Sequence, residues 1–404
     1  MKNIQLVALL AAAAASQVKA GGIYLYETAG PEVGLANAGS AARAQDATTI
    51  LGNPAGMTHL AGDQLTTGVQ VLAGNSSYHL DNDAQISGAS PGNVLEPFPS
   101  ASFFWSHSVD DRLKLGVGMY GNFGLALHYG DWAASGLVTD ATLTALNIQP
   151  TAAYRLNDQW SVGAGVGISY GYFSLKHDSV EGEQKSKDHD WALNAHLGVL
   201  YDADPATRFG LTYTSKTDYH FAIDDKIVFT HTFPATGATI TDTFSLPLAA
   251  LVNTPQQVMF SAYHDINRQF AIMGNLGWQD WSAYSDSTVE IGSIQTQSGS
   301  RLQDTGHVAV GLQYRPDEKW RIDGGIAWDS SMYKNQGDGS LTMPAGAAWR
   351  FGTGAQYKLD AQSAVGATFE YLRMQGNGVQ NPTIKGAFDT GDLFFVALNY
   401  SRAF

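Results

Sequence analysis

Two stretches of this 404-residue sequence carry the spacing of chemical motifs. Gly116-Val-Gly118-Met-Tyr-Gly121 has the G-x-G-x-x-G of a dinucleotide-binding turn, in which glycines let the backbone approach a pyrophosphate where a helix opens. Here Asn122-Phe123-Gly124 follows, in a chain whose extended stretches are rich in glycine throughout, so the nucleotide reading is set aside. Gly88-Ala-Ser90-Pro91-Gly92 has the G-x-S-x-G of a nucleophile elbow, where the residue after Ser donates its N–H to an oxyanion. Pro91 has no N–H to give, which leaves a turn. The eleven histidines show no H-E-x-x-H spacing, and in an extended chain the neighbours His189-Asp190 and His264-Asp265 fall on opposite faces. With no cysteine there is no disulfide, thiolate metal site or thiol nucleophile. The reading assigns no catalytic residue, no metal and no cofactor. A net charge of −14 leaves no basic footprint for nucleic acid.

The elements that would position any site are therefore the informative part. Charged residues are 15%, against about 25% in an ordinary soluble domain. Residues 1–20 read as an export signal: Lys2, an apolar stretch from Leu6 to Ala15, then Val18-Lys19-Ala20 with small residues at −3 and −1 of a cleavage site. Ten apolar residues are too few to span a bilayer, which needs about 20. Beyond residue 20 no run of eighteen apolar residues occurs, so no spanning helix is expected. A closed β-barrel is the remaining way to cross a membrane with the backbone satisfied.

The pattern fits one. From Trp160 to Tyr172 every second residue is apolar, and those between are small or polar. The same alternation runs from Trp191 to Tyr201, from Trp320 to Trp328 and from Trp349 to Tyr357, with aromatics at the ends, where membrane interfaces favour them. Fourteen strands are expected, starting near residues 65, 100, 113, 147, 160, 189, 207, 256, 269, 304, 319, 347, 362 and 391. Short turns at 109–112, 156–159, 203–206, 265–268, 316–318 and 360–362 alternate with long loops at 76–97, 124–146, 175–188, 220–255, 282–303, 330–346 and 375–390. That alternation matches periplasmic turns and extracellular loops of an all-β, 14-stranded antiparallel transmembrane barrel over 63–404, in the cell outer membrane. The last strand alternates through Phe394, Val396, Leu398 and Tyr400 to Phe404, as in barrels handed to the outer-membrane insertion machinery, although Arg402 departs from that pattern.

Residues 21–62 show no lipid-facing alternation and are too apolar for a disordered tail; they read as a plug folded inside the barrel. A short helix is expected over Leu35–Ala47, and Asn53-Pro54 offers a helix cap followed by a preset φ. GIYLYE at 22–27, GLANAG at 34–39, AARAQDA at 41–47 and Asn53-Pro54-Ala55-Gly56-Met57 together resemble the hatch of the FadL-type long-chain fatty acid and hydrocarbon transporters (OmpP1/FadL/TodX-like). The similarity returns at Asn122 to Ala126 and at Tyr154 to Asn157 with Trp160 to Gly163, and covers essentially the mature chain.

The resemblance implies passive uptake: capture at an extracellular groove, an inner pocket, a hatch movement, and lateral release beside a kinked third strand. On that footing Asn53, Pro54 and Ala55 would hold the hatch, or form an ordinary capping turn. Gly121, Asn122, Phe123 and Gly124 would kink the third strand, or pack closely on the plug. Trp132, Leu137, Val138, Leu143 and Leu146, at roughly helical spacing in the 124–146 loop, would form the capture groove, or a helix packed on its neighbours. Alternation places Arg321 and Arg350 in the lumen, where either could meet a ligand carboxylate or pair with Asp323 or Glu370 in the wall; the wall network is preferred. The implied partners are long-chain fatty acids or other hydrophobic small molecules, outer-membrane lipids and lipopolysaccharide, and the barrel assembly machinery, with the chain acting as a monomer. Aromatic or aliphatic hydrocarbons are the rival substrates; an open porin, an adhesin and an outer-membrane enzyme are the rival classes.

Overall fold

Alternation carried through strand after strand closes, in the computed structural model, into a 14-stranded antiparallel barrel. The structure describes residues 25–404 except 84, 180, 181, 233–238, 287, 292, 293, 298–301, 381 and 382. The expected export signal, 1–20, lies outside the described residues. The first seven barrel strands are β1 (Gln64–Asn75), β2 (Phe98–Ser108), β3 (Leu113–His128), β4 (Asp140–Arg155), β5 (Trp160–Ser179), β6 (Gly182–Asp204) and β7 (Thr207–Thr214). The other seven are β8 (Gln257–Asp265), β9 (Phe270–Gln279), β10 (Thr305–Tyr314), β11 (Trp320–Asp329), β12 (Ala348–Lys358), β13 (Ser363–Met374) and β14 (Gly391–Ala403). Each pairs with its neighbour in sequence, and β1 closes on β14 from Gln64↔Ala403 to Asn75↔Asp392, so the sheet has no edge. Among the described residues no helix is long and apolar enough to cross a membrane.

The two faces of the wall are inverted relative to a water-soluble barrel. Val69, Trp105, Leu193, Leu276, Val310, Phe351 and Leu398 are exposed on the outside, while Ser106, Gln149, Ser261, Asn275, Gln313 and Glu370 are buried inside. An apolar belt around a polar interior is what a bilayer requires.

Three long loops differ from their sequence reading. The stretch 175–188 continues β5 and β6, which at 20 and 23 residues far exceed a membrane's thickness and project beyond it. The stretch 220–255 is not a loop but a hairpin, Thr217–Thr232 with Thr239–Thr254, extended into a four-stranded sheet by Thr288–Ile291 and Ile294–Gln297. Its Tyr219 hydroxyl meets the lumenal Ser169 Oγ at 2.6 Å and Phe221 packs on Phe173, so the hairpin reaches into the barrel mouth. In the 124–146 segment, β3 continues to His128 and β4 begins at Asp140, which leaves a connection of eleven residues, 129–139.

Residues 25–62 lie inside the barrel as three short helical turns, Pro31–Leu35, Thr49–Gly52 and Pro54–His59, joined by tight bends. The helix expected over Leu35–Ala47 is absent. Ala36, Asn37 and Ala44 have positive φ (47°, 63° and 45°), which breaks a right-handed helix at both ends of that stretch. This plug touches the wall around most of its circumference: Pro31–Leu35 packs on β10 to β14, and Pro54–His59 on β3 to β6.

Candidate functional site

Asn53 is the hub of the plug. Its Oδ1 accepts the Ala55 N–H at 3.0 Å, capping the turn Pro54–His59, and its Nδ2 donates to Ala41 O at 2.6 Å and to Val199 O of β6 at 2.9 Å. One side chain thus caps a turn, ties two parts of the plug together and anchors both to the wall. The seat is made by Gly163 and Gly198, cross-strand partners on β5 and β6. A Cβ on Gly163 would overlap Ala55 N and Pro54, and one on Gly198 would overlap Asn53 Oδ1. At Gly163 backbone meets backbone, and at Gly198 the Asn53 amide and the Pro54 ring take the space of a Cβ, so both positions call for glycine. In the sequence each is one of several small residues between apolar ones, and nothing local marks this role. More polar bonds hold the rest: Asn275 Oδ1 accepts the Gly39 N–H at 2.7 Å, Asn275 Nδ2 donates to Asn37 O at 2.7 Å, and the Ala41 N–H donates to Ser261 Oγ at 3.0 Å.

Arg321 and Arg350, the two arginines expected in the lumen, sit in ion pairs. Arg321 Nε donates to Asp323 Oδ2 at 3.2 Å and its Nη1 to Gln45 Oε1 of the plug at 3.2 Å. Arg350 is almost fully buried; its Nε donates to Asp329 Oδ2 at 2.7 Å and its Nη1 to Glu370 Oε1 at 3.3 Å and to Glu27 of the plug. The Tyr26 ring stacks on the same guanidinium, 5.2 Å from its carbon, and His307 Nδ1 meets Asp329 at 2.7 Å. Arg350 therefore ties the start of the described plug to β11 and β13. Glu27 and Asp329 were not singled out from sequence, since nothing local marks their partner.

Above the plug the lumen is filled by an apolar cluster. It includes Tyr78, Trp132, Leu143, Phe173, Phe221 and Phe388 from several strands and loops. A small cavity of about 50 Å³ opens within it between Trp281, Met332, Leu372 and Met374 on one side and Tyr26, Asp329 and Arg350 on the other. The five residues expected to form one helical groove divide. Trp132, Leu137 and Val138 lie in the 129–139 connection, buried, with Trp132 Nε1 donating to Val138 O at 2.7 Å. Leu143 is on β4 facing the same cluster, whereas Leu146, on the opposite face of β4, is exposed on the barrel exterior. The period there is two, not 3.6, so residues 143 and 146 cannot share a face. The surface expected at this loop as a capture groove is thus an interior packing element.

The third strand runs unbroken from Leu113 to His128 but shifts register against β4 within it. On β3 and β4 the register runs to Tyr120↔Asn147 and resumes at Phe123↔Ala145, so the bulge takes in Gly121 and Asn122. Pairing of β3 with β2 ends at Phe103↔Met119, which leaves Phe98–Ser102 of β2 bonded only to β1. The two strands part into a narrow cleft bordered by Leu72, Gly74, Leu95, Phe98, Gly124 and Ala126. Neither Gly121 nor Gly124 packs on the plug: the nearest atoms to a built Cβ belong to β4, at 3.4 and 3.5 Å.

Comparison with known proteins agrees with this architecture. The long-chain fatty acid transport protein of Escherichia coli O157:H7 is 25% identical over 448 residues, covering 98% of each chain. The solved FadL homologue of Pseudomonas aeruginosa superposes with a TM-score of 0.76 at 15% identity, over 95% of this chain and 100% of that one. The toluene transporter TodX of Pseudomonas putida gives 0.70 at 15% identity, over 96% and 100%. Residues 11–404 match the family described as outer membrane protein transport protein (OMPP1/FadL/TodX), and the chain belongs to that family of outer-membrane transporters of hydrophobic substrates.

Proposed function

We propose that the protein admits hydrophobic small molecules, long-chain fatty acids foremost, by passive diffusion through a gated plug and a side exit in the wall. A signal peptide over 1–20 directs export, the assembly machinery inserts the barrel, and the chain works as a monomer among lipids and lipopolysaccharide. Substrate reaches the apolar cluster above the plug from the long-loop side. Movement of the plug about the Asn53–Pro54–Ala55 seat opens the way to the cleft between β2 and β3, and substrate leaves into the bilayer. No energy coupling is needed, because each buried CH₂ favours the membrane by about 0.8 kcal/mol. The observation that carries this reading is the bulge in β3 at Gly121–Asn122, which follows directly on the end of β2–β3 pairing at Met119.

Hydrocarbons are the second reading, favoured by one observation. Arg350, the cation bordering the small cavity, is already engaged by three carboxylates, so a ligand carboxylate would have to displace one of them. Relatives carry both names, a fatty acid transport protein and a toluene transporter.

The test is uptake of oleate and of toluene in a bacterium lacking its own transporter, with wild type, Asn53→Ala and Gly124→Val. Valine at 124 places two methyl groups in the cleft and should cut uptake at least tenfold in a folded barrel. Oleate uptake that falls in both variants supports fatty acids; toluene uptake alone moves the substrate to hydrocarbons. Uptake indifferent to both variants removes the gate and the side exit.

A further inference from the structure

A second cavity lies between the plug and the short-turn end of the wall. It has a volume of about 520 Å³ and is bordered by Gln45 and Asp46 of the plug and by the β9–β13 sector of the barrel. Five cationic residues line it, Arg268, Arg315, Lys319, Arg321 and Lys358, against three acidic ones, Asp46, Asp317 and Glu318. That balance is the reverse of the whole chain, which carries −14. Arg315 is paired with Asp265 and Arg321 with Asp323, but the side chains of Arg268, Lys319 and Lys358 have no ion pair among the described residues.

The second observation concerns donors. Arg315 Nε, Arg321 Nη2 and Gln356 Nε2 are all buried without an acceptor, and all three residues border this cavity. Gln356 is only 8% exposed. Burying an N–H donor without an acceptor is costly, and three residues that carry such donors line one cavity under a surplus of positive charge, which suits a ligand that brings acceptors and negative charge. Asp323 Oδ1, an unpaired acceptor on the neighbouring strand position, does not border the cavity.

We propose that this cavity binds one small oxyanion, a carboxylate or a phosphate. Arg315, Arg321 and Gln356 supply the buried donors, and Arg268, Lys319 and Lys358 supply the rim charge. Guanidinium groups suit this ligand because their planar fork matches two oxygens of one anion. The occupant also touches the plug. Arg321 donates to Gln45, which exchanges hydrogen bonds with Gln313 of β10 at 2.8 and 3.0 Å and bonds the Tyr263 hydroxyl at 3.2 Å. An anion here therefore borders the bond that links plug and wall on this side. The oxyanion has two sources: a free anion in the periplasm, which the short turns face in the proposed orientation, or the headgroup of an inner-leaflet phospholipid.

The experiment is calorimetric titration of the full-length protein in phosphatidylcholine nanodiscs with inorganic phosphate and, separately, succinate. Saturable binding of one anion per chain is expected, weakened at least tenfold by Gln356→Leu and at least threefold by Arg268→Gln with Lys358→Gln. The rim pair is surface-exposed and keeps the test alive if the lumenal variant does not fold, which heat-modifiable gel mobility reports. Repeating the titration in nanodiscs containing phosphatidylglycerol separates the sources. Loss of phosphate binding there identifies a headgroup as the occupant, and unchanged binding identifies a free anion; both keep the site. Absence of saturable binding by either anion, or binding that neither variant weakens, overturns it. Transport is not part of the readout, so this site and the proposed uptake fail independently.

Discussion

Glu32 shows what one residue contributes to the plug. Its Oε1 accepts from Thr28 Oγ1 at 2.8 Å and from the Gly30 N–H at 3.0 Å, while Oε2 is buried without a partner. Burial raises its pKa above the ordinary carboxylate value, with Arg43 opposing the shift. The folded state therefore holds this proton more tightly than the unfolded chain, so the stabilisation is complete below the unfolded value near 4.5 and is lost as pH rises through the raised one. Glu32→Gln keeps the shape without the charge. It should raise the thermal midpoint at pH 8 and leave it nearly unchanged at pH 4; a variant less stable at pH 8 would show that the charged form is the one the plug requires. Asn53 lies at the other extreme, because its loss strands Ala41 O, Val199 O and the Ala55 N–H together. Asn53→Ala should weaken plug seating by about 1–3 kcal/mol, the range for a buried polar group left unpaired.

At the scale of elements, strands of this barrel have two independent duties. Outward residues meet lipid, and inward residues meet either the plug or the apolar cluster. Gly163 on β5 and Gly198 on β6 serve the plug, whereas the irregularity in β3 serves the wall itself, since Gly121 and Gly124 touch neither. The two kinds of glycine should respond differently to substitution. Gly163→Val, outward alternation intact, should still give a heat-modifiable barrel but should expose residues 41–58 to protease, because the side chain occupies the space of Pro54 and Ala55. Gly124→Val should leave protease resistance of the plug unchanged. Equal protection of the plug in both variants would show that the Gly163–Gly198 seat is dispensable.

For the whole molecule, the plug packs against strands on both sides of the barrel interior, and the Thr217–Thr254 hairpin reaches into the mouth at the other end. A porin of the same strand number would be open. In planar bilayers the wild type should show little or no single-channel conductance, and deletion of residues 25–60 should produce a conducting pore. A large conductance from the intact chain would favour the porin class over gated uptake.

The architecture was readable because it is written one strand at a time. Trp160 to Tyr172 states its lipid face by period two alone, and short and long connections alternate without reference to distant residues, so all fourteen strands could be placed. The same local reasoning failed at Leu143 and Leu146, where apolar spacing in an assumed loop imitated a helix, and at Leu35–Ala47, where alanine-rich composition concealed positive φ at Ala36, Asn37, Gly39 and Ala44. The Asn-Pro-Ala turn was legible as a cap, because a cap is local. What the cap holds was not: Asn53 meets Val199 across 146 residues, and Glu27 meets Arg350 across 323. The sequence by itself determined the barrel, its membrane-facing surface and the number of its strands, since closure follows from backbone satisfaction in lipid and the strands are counted from their alternating polarity. Only the tertiary structure decided which glycines seat the plug, which carboxylates surround Arg350, where β3 leaves β2, and that unpaired donors gather at one end. Those are facts about closure, in which the ring of strands brings together residues that no local pattern relates.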